Sequence, residues 1–227
     1  MAIATFKDLC LDAGDPGVLG AFWAAALDLE LHTQESGDTY LTGPTPEHTI
    51  WVNRVPEPKT VKHRIHLDLN VGSVEELTAL GATVLDAESF RWTLMADPEG
   101  GEFCAFVREG EISQRLYEVA IDTADSAEAA HKIAAWWADV LGADLVDDDR
   151  GFSYVDRVPG APYDSLDFAP VPESKTVKNR IHLDVTTDDL DALIAHGATV
   201  LRAKGDAGLR WTVLADPDGN EFCAFTD

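Results

Sequence analysis

The sequence contains few basic residues, few cysteines and no long apolar run. Its 227 residues include 17 Lys and Arg against 41 Asp and Glu, which gives a formal net charge of -24. This acidity excludes nucleic acid and anionic membranes as partners, since both would be repelled. No stretch approaches the ~18 apolar residues of a membrane span, and no signal-peptide pattern is seen. The three cysteines then predict reduced thiols and a cytoplasmic protein.

The chain contains an internal repeat. The segment VPEPKTVKHRIHLDL at 55–69 matches VPESKTVKNRIHLDV at 171–185 at 12 of 15 positions. The segments at 91–106 and 210–225, which share RWT, ADP and EFCAF, match at 12 of 16 positions. Two copies of one unit are therefore predicted. We place their boundaries at 1–109 and 113–227, and expect the copies to pack about a pseudo-twofold axis.

Each copy reads as strands and helices in the same order. A strand-like alternation opens each copy, and a helix is predicted after it. In copy one Asp15 is a helix N-cap, with Val18 on an apolar stripe, and in copy two the helix covers 126–141. A capping-box spacing at Ser73 predicts a helix after the RIHLD strand, with its counterpart at about 187–196. The fold class is therefore α+β, with each copy made of two strand–helix–strand modules.

The pattern resembles the vicinal oxygen chelate superfamily, which includes glyoxalase I, bleomycin-resistance proteins and extradiol dioxygenases. The motifs that carry this resemblance are HLDLNV, GATVL and the WT-x-x-ADP-x-G-x-EF strings, and they cover nearly the whole chain. The resemblance is closest to the actinobacterial glyoxalase-like branch. It implies tandem paired βαβββ modules, four in all, that form half-open barrels. It also implies a monomer, because the usual dimer partner is supplied within the chain.

The resemblance also implies metal-ligand positions on the first and last strands of each module. In copy one these positions fall on Asp8, Trp51, His66 and Cys104. In copy two they fall on Glu118, Asp167, His182 and Cys223. Trp51 cannot ligate a metal, because its indole offers a donor hydrogen and no free lone pair. The remaining donors suit Zn, Fe, Mn or Ni, and a protein without metal is an equal alternative.

Two pairings of these positions are open. Glu118 and Asp167 could join His182 and Cys223 within copy two, or they could join His66 and Cys104 across the copies. Glu102 and Glu221 lie two residues before the cysteines and share their strand face, so they are candidate catalytic residues for proton transfer.

Ordinary structural roles are also consistent with these residues. His66 and His182 lie on the strand face opposite the apolar residues, where each could simply bond Asp68 or a neighbouring carboxylate. Cys104 and Cys223 are typical of packing residues. Trp92 and Trp211 could line a cavity or belong to the core, and we expect the core.

The sequence supports two functional hypotheses. The first is a protein that binds a small organic molecule, such as an antibiotic or toxin, in a cleft between the copies beside a degenerate metal site. The acidity favours a cationic ligand. The second is a divalent-metal-dependent lyase, isomerase or dioxygenase acting on a substrate with two vicinal oxygens. Tightly bound metal in the purified protein would favour the enzyme.

Overall fold

The computed structural model describes residues 2–226, which form sixteen strands and four α-helices. The strands of copy one are β1 Thr5–Ala13, β2 Glu30–Thr33, β3 Thr39–Thr42, β4 Ile50–Arg54, β5 Ile65–Val71, β6 Thr83–Asp86, β7 Thr93–Ala96 and β8 Glu102–Val107. Those of copy two are β9 Leu116–Thr123, β10 Asp144–Asp147, β11 Ser153–Asp156, β12 Ser165–Pro170, β13 Ile181–Thr186, β14 Thr199–Arg202, β15 Thr212–Ala215 and β16 Glu221–Phe225. The helices are α1 Pro16–Leu27, α2 Val74–Ala79, α3 Ala127–Leu141 and α4 Leu190–Ala195.

The helices begin at the residues that the sequence indicates. Asp15 caps α1 by accepting hydrogen bonds from two backbone amides of the first turn, and Ser73 forms the predicted capping box of α2. The helix predicted at 187–196 is shorter, because Asp189 provides its N-cap. Val18, at the start of the predicted apolar stripe, is 49% exposed, whereas Leu19, Phe22 and Trp23 of the same stripe are buried.

The sixteen strands form two eight-stranded sheets. Sheet I has the order β14-β15-β16-β13-β1-β4-β3-β2, and sheet II has the order β10-β11-β12-β9-β5-β8-β7-β6. The central contacts are the antiparallel pairs β1–β13 and β5–β9, which join different copies. Each sheet therefore takes one module from each copy. The two orders become identical when the copies are exchanged, which is the arrangement of an internal dimer.

The core lies between the two sheets and is continuous across them. Helix α1 packs against β2, β3 and β4, and α3 packs against β10, β11 and β12. The indole of Trp23 on α1 lies edge-on to Phe103 of sheet II, with ring centroids 5.3 Å apart. Trp137 on α3 contacts Phe222 of sheet I in the same way, at 5.2 Å. The helices thus cover one face of each sheet, and the opposite face is here called the open face.

No helix within residues 2–226 is long and apolar enough to cross a membrane. Cys10, Cys104 and Cys223 are all free and buried.

Candidate metal centre

The open face of sheet II gathers five polar side chains from four strands. His66 and Asp68 lie on β5, Cys104 on β8, Glu118 on β9 and Asp167 on β12. Asp68 pairs with Glu118 across the β5–β9 contact, and Asp167 lies one strand further, beside Ala120. The structure thus brings Glu118 and Asp167 together with His66 and Cys104, and separates them from His182 and Cys223. The pairing between copies is therefore the one that forms.

Asp68 orients the histidine of this face. His66 Nδ1 lies 2.7 Å from Asp68 Oδ1, which also accepts a hydrogen bond from the backbone amide of Cys104 at 3.1 Å. Burial alone would lower the pKa of His66, but the charge and hydrogen bond of Asp68 raise it above the usual value. This geometry directs Nε2 away from the carboxylate, as in metal-binding histidines held by an acidic partner.

Glu118 and Asp167 are crowded carboxyl groups. Burial, followed by the charges of Asp167 and Asp68, raises the pKa of Glu118 to about 9. Burial and then the charge of Asp68 raise the pKa of Asp167 to about 7. Within residues 2–226, neither Glu118 nor Asp167 forms an ion pair with Lys or Arg. A cation at this place would remove the mutual repulsion.

Cys104 is a weaker donor than its neighbours. Burial, reinforced by the negative charge of Asp68, raises the pKa of its thiol far above the usual value. Because the thiolate is the form that binds a metal, Cys104 is better suited to packing than to ligation near neutral pH.

The equivalent carboxylate of sheet I is already neutralised. Asp8 forms an ion pair with Lys7 and accepts a hydrogen bond from Trp51 Nε1 at 3.1 Å. Its pKa rises to about 6, chiefly through burial. Trp51 occupies the place on β4 that Asp167 occupies on β12, so the indole both removes a ligand and occupies the carboxylate of Asp8. Trp51 therefore not only fails to bind a metal itself but also engages a neighbouring candidate ligand, Asp8.

The histidine of sheet I lies between sulfur atoms. His182 Nε2 is 3.4 Å from Cys223 Sγ and 3.4 Å from Asp184 Oδ1. Cys10 pairs with His182 across the β1–β13 contact, and its Sγ accepts a hydrogen bond from Asn53 Nδ2 at 2.9 Å. Burial would lower the pKa of His182, but Cys10 and Asp184 raise it well above the usual value. The histidine is therefore held through Nε2, whereas His182 Nδ1 and Asp184 Oδ1 are buried without a hydrogen-bond partner among the described residues.

Glu102 and Glu221 anchor loops. Glu102 accepts a hydrogen bond from Lys59 at 2.8 Å and from the backbone amide of His63 at 3.0 Å. Glu221 repeats these contacts, with Lys175 at 2.8 Å and the amide of Asn179 at 3.1 Å. Burial opposes ionisation of Glu102, but these hydrogen bonds lower its pKa below the usual value. Their assignment as catalytic residues remains a prediction, and the geometry gives each a structural role.

The donor sets differ in how well they fit a metal ion. The ligand atoms of His66, Asp68 and Cys104 all lie within 4.8 Å of one another, and so do those of His182, Asp184 and Cys223. Only the first group adjoins two further carboxyl groups free of ion pairs, Glu118 and Asp167. An imidazole with several carboxylates is a suitable set for a divalent ion such as Mn²⁺, Fe²⁺ or Zn²⁺. Sheet II therefore fits a metal with more carboxyl groups, whereas the extra carboxylate of sheet I already contacts Lys7 and Trp51 through Oδ2.

Aromatic side chains border both sites. Trp92 stacks on Phe90 with centroids 5.1 Å apart and lies 5.4 Å from Phe106, which contacts Tyr117 edge-on at 5.0 Å. Trp211 lies 5.4 Å from Phe225 in the other sheet. The prediction that the two tryptophans belong to the core was wrong. They are half-buried, because the strands place them on the open faces.

Asp68 was expected only as a hydrogen-bond partner of His66, and Asp184 and Cys10 were not expected at these sites. The missed signal is the spacing in HLD. Residues two apart on a strand share a face, so an aspartate at that distance from the candidate histidine belongs to the same site.

The comparisons with known proteins agree with this fold. The profile of the glyoxalase-like domain family matches residues 8–106 and again 118–225. Glyoxalase I from Zea mays has a TM-score of 0.73 at 13% identity, and the alignment covers 98% of this chain and 92% of that chain. A protein from Bacillus subtilis described as a candidate dioxygenase has a TM-score of 0.63 at 14% identity, with 98% and 86% covered.

A third similar structure is the cppA protein from Streptococcus pneumoniae, with a TM-score of 0.50, 11% identity, and 99% of this chain and all of that chain covered. At these identities the likeness concerns the fold alone. No curated protein matches the chain significantly. Because the family profile matches both halves and the fold is that of glyoxalase I, the chain belongs to the glyoxalase-like domain family, in two tandem copies with the vicinal oxygen chelate fold.

Proposed function

We propose that the protein binds a small organic molecule on the open face of sheet II, through a divalent metal ion held there, and that sheet I has no such function. The observation that carries the proposal is the crowding of Asp68, Glu118 and Asp167 around His66. Within residues 2–226 no Lys or Arg forms an ion pair with Glu118 or Asp167, and the charges of Arg108 and Arg150 only partly offset the rise of the two pKa values. Buried carboxylates without partners are costly, and binding a cation offsets that cost.

The residues that would hold the metal are His66 through Nε2, Glu118 and Asp167, with Asp68 orienting the imidazole. Three protein ligands leave positions for oxygen atoms of a bound molecule. The half-buried rings of Trp92, Phe106 and Tyr117 lie beside it, and the guanidinium of Arg108 lies over Phe106 and Tyr117. Sequestration of an antibiotic or toxin is one use of such a site, and the acidity of the chain favours a cationic ligand.

A second candidate function is a metal-dependent lyase, isomerase or dioxygenase. The observation that favours it is the crowding that raises the pKa of Glu118 in the metal-free protein, because a carboxylate with a raised pKa is a stronger base toward a substrate proton. The metal, when bound, would act as a Lewis acid toward substrate oxygens. Turnover of a dicarbonyl or catechol substrate that requires Glu118 would favour this candidate over binding alone.

The test is the metal content of protein purified without chelators or a metal-affinity tag. Wild type and His182→Ala should each contain about one equivalent per chain. His66→Ala should contain almost none, because it removes the imidazole ligand of sheet II. His182 is the matched control, since it occupies the equivalent position of sheet I. Equal metal content in the three proteins, or none in any of them, would contradict the proposal.

A further inference from the structure

A cavity lies between the two repeated loops, at the ends of strands β5 and β13 that precede His66 and His182. Its volume is about 790 Å³, within the range of ~300–1,000 Å³ that is typical of small-molecule sites. One wall is the segment 57–64 of copy one, and the opposite wall is the equivalent segment 173–180 of copy two. The cavity is therefore built by the repeat that relates the two copies.

The two loops are held in place across the cavity by reciprocal hydrogen bonds. Arg64 donates through one terminal nitrogen to the carbonyl of Glu173 at 2.7 Å, and Arg180 donates to the carbonyl of Glu57 at 2.7 Å. The loops are also tied to their sheets by the contacts of Lys59 with Glu102 and of Lys175 with Glu221. The cavity is thus formed without a ligand, which reduces the cost of ordering on binding.

The lining is largely apolar. Val61 and Val177, at equivalent positions of the two loops, are 41% and 45% exposed and line the cavity. Val55 and Pro58 add to this surface. An apolar body placed between the two valines would remove their surface from water, which is favourable.

Arg64 supplies a charge that differs from the other cations of the lining. Lys59, Lys62, Lys178 and Arg180 each have a carboxylate partner, namely Glu102, Asp122, Asp12 and Glu99. Within residues 2–226, Arg64 has none: its terminal nitrogens bond the carbonyls of Glu173 and Asp122, and its buried Nε has no acceptor. Because backbone carbonyls do not neutralise the guanidinium, its positive charge remains to attract carboxylates, sulfonates and phosphates.

The carboxylates of the lining do not cancel this charge. Asp12 and Asp122 are engaged by Lys178 and Lys62. Glu57 and Glu173 are exposed, so solvent and salt weaken the repulsion between their carboxylates and a bound anion. We infer that the cavity between segments 57–64 and 173–180 is a second ligand site, which binds a small organic anion with its apolar body between Val61 and Val177 and its acidic group at Arg64. This ligand class is opposite in charge to the one favoured for sheet II.

The experiment compares two fluorescent probes with nearly the same aromatic body. One is 8-anilino-1-naphthalenesulfonate, which carries an anionic group, and the other is N-phenyl-1-naphthylamine, which is neutral. The full chain should bind one equivalent of the sulfonate, with affinity that falls as salt is added. Arg64→Gln should weaken binding of the sulfonate about tenfold and change binding of the neutral probe less than about twofold.

Arg180→Gln is the matched variant. Like Arg64→Gln, it removes a hydrogen bond to a carbonyl of the opposite loop, but the charge that it removes is already paired with Glu99. It should weaken sulfonate binding by less than about threefold. Val177→Ser should weaken binding of both probes, and His66→Ala should leave binding of both unchanged. The inference is overturned if Arg64→Gln leaves sulfonate binding unchanged, if it weakens both probes equally, or if His66→Ala abolishes binding, which would place the probe on sheet II.

Discussion

The open faces of sheets I and II occupy equivalent places in the fold and have different chemistry. Both keep the histidine of RIHLD and the aspartate two residues later. Sheet II adds Glu118 and Asp167, and sheet I has Asp8 and Trp51 at the equivalent positions. The indole and Lys7 both contact Asp8 Oδ2, so the first-strand carboxylate of sheet I already has partners, although Asp8 Oδ1 and His182 Nδ1 are buried without one among the described residues. A metal-type site in this fold thus depends less on the histidine than on whether the first-strand carboxylate is left free.

The largest effect is expected when the last-strand residues are exchanged. Asp167→Trp should weaken binding of Mn²⁺ or Zn²⁺ by more than about 100-fold, because it removes a carboxylate and places an indole donor beside Glu118. Trp51→Asp should not create a second equivalent, because Lys7 still neutralises Asp8. Calorimetric titration of both variants measures this. Two equivalents in Trp51→Asp would show that the tryptophan alone closes sheet I.

A smaller loss is expected from the aspartate that orients His66. Asp68→Asn should weaken metal binding by about 10- to 100-fold, since the imidazole loses its charged partner while the ligands remain. Asp184→Asn makes the same change in sheet I and should leave metal binding unaltered. Competition with a chromophoric chelator gives both dissociation constants. Similar losses in the two variants would mean that both sheets bind metal.

The free energy of unfolding of the metal-free protein should depend on pH differently through Glu118 and through Asp8. Folded Glu118 keeps its proton up to about pH 9, whereas the unfolded chain releases it near 4.5. The folded state therefore binds more protons in this window, so the free energy of unfolding falls as pH rises from about 5 to about 9. The raised pKa of His66 acts in the same direction.

Glu118→Gln should flatten this slope and stabilise the metal-free protein at pH 8 by ~1–3 kcal/mol. Asp8→Asn should flatten it only below about pH 6, because the pKa of Asp8 is about 6. Urea denaturation between pH 5 and pH 9 measures both changes. A wild-type protein whose stability is constant from pH 6 to pH 9 would contradict the assigned environment of Glu118.

The smallest effect concerns Cys10, which stands where sheet II has Ala120. Cys10→Ala removes the sulfur that accepts a hydrogen bond from Asn53 and should cost ~0.5–1.5 kcal/mol of unfolding free energy in thermal or urea denaturation. Metal content should not change. A fall in metal content would show that the sulfur-rich face of sheet I binds an ion.

Much of the fold follows from local signals in the sequence. Asp15, Ser73 and the strings around RIHLD determine helix starts and strand faces by short-range geometry, so they could be predicted. The partner of each central strand could not be predicted. Because β5 and β13 are nearly identical in sequence, the residues of either strand do not indicate whether it pairs with β1 or with β9.

For the candidate site, too, the sequence indicates individual residues but not which of them lie together. Glu118, Asp167, His66 and Cys104 could be named from the resemblance, and their grouping is decided by the pairing of β5 with β9. The closing role of Trp51 and Lys7 depends on where two side chains meet, and the lysines that hold Glu102 and Glu221 are more than forty residues distant in sequence. Contacts of this range have no periodic signature in a single sequence.

The pairing of modules across the copies has a consequence for how the two sites can change. In a dimer of identical chains, a codon altered in one site is altered in the other, so an indole that closes one cleft closes both. Here different segments of one chain encode the two central strand pairs, β1–β13 in sheet I and β5–β9 in sheet II. Each site can therefore be mutated alone, and one can be given up without loss of the other. The same pairing means that half of the chain, expressed alone, should recover complete sheets only by joining a second copy of itself.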